Sequence, residues 1–565
     1  DQLSETRRDR FQAVQGAVRH AWKGYADVCL HSTNRIPKYL GSHIPCDDVS
    51  PEANLEHDWL YHAATVHDSL DTLAIALGTE SDEYKEALSM VLAQDLQASS
   101  LRPTKTFEYS LRIVGGLLGA FSVTGDVRLL SRAKDAVDSL LQSPFASSPT
   151  VLPRMYDVLF PSRGGSILYQ AYSRIYQWGR DAFTSEHHLN SLAGVGSFSL
   201  EFYFLSKTLG LDLYRQVADR ITQHVVAYQG KDGTVPSSWN VMTGKPHFLG
   251  GGLGSGSDSF VEYLLKVPLF ICTSSDDNDI LACIQKHDSV LLDMLELYDK
   301  IVKGPLRSQH TVSKEFDVPI AYPVDNGIYH QLLCFVPGML ALGATISVDR
   351  EDDLVLAEKL VRGCHDMHEQ SSTGFGPEKI HINRAGAVNR NSAGGDPSYL
   401  LRPEYVESLF VLYRTTGKQE YQEMGWEVFE SLERYCKIDL GYTGLRDVYD
   451  LKGGGRVDDM PSYFIAETLK YLLLLFGPDD FVSLQDFVFT TEAHPLLRVD
   501  VVDRMRAHAY IQAEISNDKY TVHAPFPWRL FGVILVVISF VSGIAGCIRK
   551  MWRWKYRYNT KNLTQ

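Results

Sequence analysis

LRIVGGLLGAFSVTGDVRLLSRAKDAVDSLL, residues Leu111–Leu141, decides the architecture. Its first half spaces apolar residues three and four apart, the period of a helix with a buried face. Thr124-Gly125 breaks the run, and a second, more charged helical stretch follows. A glycine at the break suits a left-handed C-cap, so the unit reads as an αα-hairpin with one helix more buried than its partner. The template recurs in LEFYFLSKTLGLDLYRQVADRITQHV from Leu200 and in VESLFVLYRTTGKQEYQEMGWEVFESLERY from Val406. LAIALG at Leu73–Gly78 with the helix after it, and GMLALGATI with DREDDLVLAEKLVRGC, fit more loosely. At roughly 70 residues per hairpin, a stretch of about 500 residues holds about seven units, enough to close a toroid of inner and outer helices. No Pro/Ser/Gly-rich linker divides residues 1–498, which are therefore read as one all-α domain.

Outside the hairpins, composition sets limits. The chain has 565 residues, 44% hydrophobic and 22% charged, and so must bury a core. A formal charge of −14 carries no electrostatic footprint for nucleic acid, and no nucleic-acid partner is expected. LFGVILVVISFVSGIAGCI, residues 530–548, is uncharged and as a helix would reach roughly 28 Å, enough to cross a bilayer. Trp528, Trp552 and Trp554 flank it as interfacial belts, and Arg549, Lys550, Arg553, Lys555, Arg557 and Lys561 place the tail 549–565 in the cytosol. Residues 499–529 then form a juxtamembrane stem, and the large domain lies in a lumen. That topology needs a signal sequence, which Asp1-Gln2-Leu3 does not begin, so the chain is expected to start downstream of one. Cys29/Cys46, Cys272/Cys283 and Cys334/Cys364 are close in sequence, and an oxidising compartment would allow those pairings. The sequon Asn562-Leu-Thr falls on the cytosolic side and should stay unused.

The informative acids are those embedded in apolar helices or glycine loops, since Asp and Glu ordinarily face water. Glu108 lies four residues before Arg112, the spacing of a helical ion pair, and the glycines at 115 and 116 demand close packing. Asp258 follows a Gly/Ser loop and begins a helix, where an N-cap role competes with a functional one. Pro403 suits a first helical position, with Glu404 and Glu407 on the first turn. Glu467 has almost only apolar neighbours. FVFTTEAHPLL reads as a short strand, Phe487 to Phe489, leading to Thr491, Glu492 and His494. Several acids directed into one cavity suit glycoside hydrolysis, which needs one carboxyl to protonate the leaving oxygen and another to activate water or attack carbon. Tyr463 and Phe464 offer stacking faces for sugar rings.

FEYSLRIVGGLLGAF, GLGSGSDSFVEYLLK, LLCFVPGMLALG, LLRPEYVESLFVLYRTTG, FIAETLKYLLLLF and FTTEAHPL, in this order, resemble the signature blocks of the class I α-1,2-mannosidases, glycoside hydrolase family 47. HAWKGYADV and DSLDTLAIALG extend the resemblance over roughly residues 7–498. It implies an (αα)7 barrel with small β elements, here with a C-terminal transmembrane helix. It further implies Ca²⁺-dependent, inverting removal of terminal α-1,2-linked mannose from high-mannose N-glycans, in processing or quality control in the endoplasmic reticulum or Golgi. By position, Glu108, Asp258 and Glu404 become the catalytic acids: Glu404 the base, and Asp258 or, through a water, Glu108 the acid. Thr491 becomes the Ca²⁺ ligand through its carbonyl and hydroxyl. Arg112, Arg402, Glu407, Tyr463, Glu467 and Glu492 line the mannose subsite, and Cys334–Cys364 is the family disulfide.

Departures concern the branch of the family. Tyr329-His330-Gln331 stands where processing enzymes have Met-Asp-His, and Gly194 and Gly256 where others carry Glu and Arg. Some blocks resemble the ER degradation-enhancing mannosidase-like proteins instead. The alternative is therefore a lectin-like quality-control factor that binds mannose glycans or misfolded glycoproteins with little turnover. No redox or chaperone partner, at Cys436 or elsewhere, is identified by the sequence.

Overall fold

Helices alternate between an outer and an inner ring along the chain. In this computed structural model the described residues are 4–31, 45–94, 96, 104–142, 152–157, 188–248, 251–272, 283–284, 289–314, 320–346, 348–390, 394–451, 455–500 and 502, all within one compact unit. Among them α1 (Glu5–Cys29) is outer, α2 (Ala64–Leu77) inner, α3 (Asp82–Ala93) outer and α4 (Gly115–Thr124) inner. The alternation continues with α5 (Val127–Gln142), α6 (Ser199–Leu209), α7 (Asp212–Val226), α8 (Asp258–Ile271), α9 (Ser289–Ile301) and α10 (Val336–Ala344). It ends with α11 (Glu351–Glu369), α12 (Glu404–Thr416), α13 (Glu420–Ser431) and α14 (Lys470–Phe476). Each even-numbered helix touches the next, and α14 returns to α2, so the inner ring closes. Six pairs, α2/α3 to α12/α13, are sequential hairpins. The seventh joins the two ends of the domain, with α14 packed on α1.

Burial follows the sequence pattern. Every residue of α14 is buried, whereas α5 buries one stripe (Leu129, Leu130, Ala133, Ala136, Val137, Leu140) and exposes its charged face. Each such leucine contributes about 1.5–3 kcal/mol by leaving water. The three expected turn glycines, Gly125, Gly210 and Gly417, have φ of +72°, +69° and +71°, the left-handed C-cap. The packing demanded at Gly116 is met by the α2 backbone: a Cβ there would come within 2.3 Å of the His67 carbonyl oxygen.

Short antiparallel strands decorate the barrel. The last pair, Phe487–Phe489 with Pro495–Leu497 (Phe487 opposite Leu497, Phe489 opposite Pro495), packs on α4 and α8 and carries Thr491 and Glu492 in its turn. Disulfides join Cys29–Cys46, Cys272–Cys283 and Cys334–Cys364, while Cys436 is a buried free thiol. Burial raises its pKa, which makes Cys436 a poor partner in thiol exchange. The predicted span 530–548, the tail 549–565 and the stem beyond Val502 lie outside the described residues. Among the described residues, no helix is long and apolar enough to cross a membrane.

Candidate active site

The acids singled out in the sequence meet in one cavity of about 530 Å³, bordered by Glu108, Arg112, Asp258, Arg402, Glu404, Glu407, Tyr463, Glu467, Thr491 and Glu492. Helix beginnings bring most of them there. Asp258 and Glu404 are the first residues of α8 and α12, with Glu262 and Glu407 one turn further in. Pro403 therefore sits in the cap position, one residue earlier than its sequence suggested. Asp258 is not a cap either: Ser257 precedes the helix, and among the described residues the Asp258 carboxylate accepts from the adjacent Ser259 N–H and hydroxyl.

Glu108 and Glu467 arrive differently. Glu108 ends a one-turn helix that passes through a π-helical turn, Tyr109–Val114, into α4; Glu467 lies within the π turn Phe464–Leu469 that opens α14. Such widened turns rotate the residues that follow and recur at functional sites. Arg112 Nε donates to Glu108 Oε2 at 2.9 Å, the predicted i,i+4 pair, but the pair lies in the cavity and not on the surface. The same guanidinium reaches Glu492 at 2.8 Å. Arg402 is gripped by Glu378, whose two oxygens accept from it at 2.7–3.1 Å. Tyr463 borders the cavity and donates to the Leu400 carbonyl, whereas Phe464 is wholly buried against Tyr442 and offers no face to a sugar. Of Tyr329-His330-Gln331 only His330 reaches the cavity wall, and Gly194 and Gly256 leave that wall without side chains.

Eight carboxylates face the cavity (Glu108, Asp258, Glu262, Glu378, Glu404, Glu407, Glu467, Glu492) against four Lys or Arg side chains (Lys105, Arg112, Lys379, Arg402). Burial pushes Asp258 up to about 7 and, against the pull of Arg402, Glu404 up to about 8. Burial also raises Glu407 to about 8, opposed by Lys266, and burial together with Glu492 raises Glu467 well above the carboxylate range. Glu262 and Glu378 were missed in the sequence. Glu262 was findable, because it follows Asp258 by four residues and shares its helical face; Glu378, in a loop before a strand, carried no periodic signal.

Directly behind the cavity the balance is different. Asp68 accepts from Arg112 at 2.9 Å, from His494 Nε2 at 3.1 Å and from the Ser462 hydroxyl. Asp71 accepts from His494 Nδ1 at 2.9 Å and pairs with Lys470 at 2.8 Å. Both ring nitrogens of His494 thus face carboxylates, which requires the doubly protonated imidazolium.

A calcium ion matches the donor chemistry. Among the described residues no three His, Cys, Asp or Glu side chains are grouped to chelate a metal alone, so a cation here needs neutral oxygens as well. Thr491 borders the cavity, and no protein donor occupies its hydroxyl or carbonyl among the described residues. Neutral oxygen plus surplus carboxylate is a hard-oxygen set of the kind Ca²⁺ takes.

A model of glycosyl hydrolase family 47 matches residues 17–498. The chain is 33% identical over 494 residues to the endoplasmic reticulum mannosyl-oligosaccharide 1,2-alpha-mannosidase of Homo sapiens, covering 86% of this chain and 65% of that protein. It is 32% identical over 492 residues to the mannosyl-oligosaccharide alpha-1,2-mannosidase IA of Spodoptera frugiperda, covering 86% and 66%. It spans just under two thirds of the length of these two relatives. Among solved structures, an alpha-1,2-mannosidase from Trichoderma reesei superposes with a TM-score of 0.71 at 22% identity, covering 87% of this chain and 99% of that one, which shows the fold. With its barrel, its acid-lined cavity and a family match across nearly the whole domain, the chain belongs to glycosyl hydrolase family 47.

Proposed function

We propose that this protein is a Ca²⁺-dependent, inverting α-1,2-mannosidase that removes terminal α-1,2-linked mannose from high-mannose N-glycans. The convergence on one cavity of Asp258 and Glu404, the first residues of α8 and α12, with Glu108 from the turn leading into α4, carries this reading. Glu404 activates the attacking water. Arg402, with its guanidinium 3.9 Å away, pulls Glu404 toward the charged form that a base needs, against burial, which raises its pKa to about 8. The leaving oxygen takes its proton from Asp258, which burial keeps protonated up to about pH 7, or from Glu108 through a bridging water. Arg112 and Arg402 hold the acids in place, and Tyr463 offers an aromatic contact to the sugar. Thr491 would hold Ca²⁺ through its hydroxyl and carbonyl, with Glu467 and Glu492 acting on the ion's waters. Bound calcium supplies an anchor for vicinal sugar hydroxyls. Relatives named for the endoplasmic reticulum, together with three disulfides, support a luminal domain of the endoplasmic reticulum or Golgi, with 530–548 as its membrane anchor.

The test is incubation of the protein with a high-mannose glycan, with and without a calcium chelator. Release of mannose that the chelator stops is the expected result. Glycan binding without release, across a range of glycans, would replace the enzyme by the lectin-like alternative.

A further inference from the structure

One buried polar chain near the cavity does no work in the mechanism above. It starts at Glu201 on α6, a fully buried residue in the apolar run LEFYFL. One Glu201 oxygen accepts from the Tyr263 hydroxyl at 2.6 Å; the other is buried with no hydrogen-bond partner. Tyr263 lies on α8, five residues after Asp258, and is itself buried. A phenol has one proton, and here it goes to Glu201, so a lone pair is left to face the other way. That lone pair accepts from the backbone N–H of Thr491 at 3.3 Å.

Elsewhere the hairpin turn around Thr491 is held by Lys470, which donates to the Ala493 carbonyl, by the His494 ring on Asp68 and Asp71, and by bonds within the turn. Thr490 N–H donates to the His494 carbonyl, Ala493 N–H to the Thr490 carbonyl, and His494 N–H to the Thr490 hydroxyl. Thr491 N–H is the group in this turn that is tied to the barrel wall through a side-chain hydroxyl. A carboxyl buried with one oxygen unsatisfied forgoes the hydration it had in the unfolded chain. An apolar side chain at 201 would avoid that cost in this run of leucine and aromatic neighbours, so packing alone does not account for a glutamate there.

We infer that Glu201 and Tyr263 are positioning residues for Thr491: Glu201 orients the Tyr263 hydroxyl, which pins the Thr491 peptide at the cavity wall so that its hydroxyl and carbonyl present themselves together to a calcium ion. This rests on the calcium assignment above. The experiment is titration of the full chain with Ca²⁺ alone, in a calorimeter and without glycan. Tyr263→Phe should weaken affinity about tenfold, the usual scale for a residue supporting a metal ligand. Thr491→Ala should weaken it at least as much, and Tyr263→Phe combined with Thr491→Ala should weaken it by less than the two single effects together, because both act on the donors of one residue. Glu201→Leu should lower affinity, while Glu201→Gln, which keeps an acceptor for the hydroxyl, should restore it to within about twofold of the parent. The Glu201 pair decides the matter if Tyr263→Phe does not fold. Unchanged calcium affinity in Tyr263→Phe, or in Glu201→Leu, overturns the inference. So does a fall in unfolding temperature that is equal with and without calcium, since that marks a merely structural contact. Failure of the parent chain to bind Ca²⁺ overturns instead the calcium assignment itself.

Discussion

The cavity wall and the more deeply buried layer directly behind it use the same residue types, and they behave in opposite ways. On the wall, eight carboxylates face four Lys or Arg cations, with Lys266 behind them reaching Glu262 and Glu407, and burial drives Asp258, Glu404, Glu407 and Glu467 upward. Behind it Asp68 and Asp71 share Arg112, His494 and Lys470, and all of the four residues Asp68, Asp71, His494 and Lys470 are wholly buried. Burial opposes the charge on Asp68, yet Arg112 and His494 outweigh it and hold this carboxyl below its ordinary range. Burial likewise opposes the His494 cation, and Asp71 and Asp68 outweigh it, so its pKa is raised. Pairing, and not depth, separates carboxyls that burial pushes upward from the one held below its ordinary range. A surplus of acids leaves protons and cations to be taken up at the wall; a matched set behind it makes a brace.

Three changes probe the contrast. Glu404→Gln on the wall should lower mannose release by about 10³-fold, within the range for loss of a general acid or base, while glycan affinity stays near the parent's. Rate measurement beside a binding isotherm checks it, and parallel loss of binding would make Glu404 a structural residue. His494→Ala behind the wall should instead cost about 3–5 kcal/mol of stability, because two buried carboxylates lose their shared partner. Chemical denaturation reads that loss, and a cost near zero would break the comparison. The smallest effect concerns pH. Folded Asp258 keeps its proton to about 7 while the unfolded chain releases it near 3.8, so this residue's contribution to stability falls as pH rises between those values. Asp68, with its folded pKa depressed, contributes fully above about 4 and loses that contribution as pH falls further. Asp258→Asn should therefore unfold a few degrees higher than the parent at pH 8 in chelator and no higher at pH 4. An identical difference at both pH values would show that burial does not hold the Asp258 proton.

Much of this was legible before any coordinates. The spacing in Leu111–Leu141 and its two sister units showed the hairpins, because helical period and a C-capping glycine are local properties. Glu108 with Arg112, and the demand for close packing at Gly116, followed from distances of a few residues. The seventh hairpin was not visible in this way, since its helices, α1 and α14, lie at opposite ends of the domain. Nor was the exclusion of Phe464 from the cavity, because its neighbour Tyr463 is also aromatic and only the folded chain decides which of the two rings borders the cavity.

The sequence by itself determined the helical hairpins and picked out the acids that meet in the cavity, because periodicity and unusual acids in apolar runs are written in consecutive residues. Only the tertiary structure decided which carboxylates go unpaired. Asp68, Arg112, Ser462 and His494 are hundreds of residues apart in part, and so are Glu201, Tyr263 and Thr491; a carboxyl's proton depends on which cation the closed barrel sets beside it, and that is a property of the ring and not of the chain.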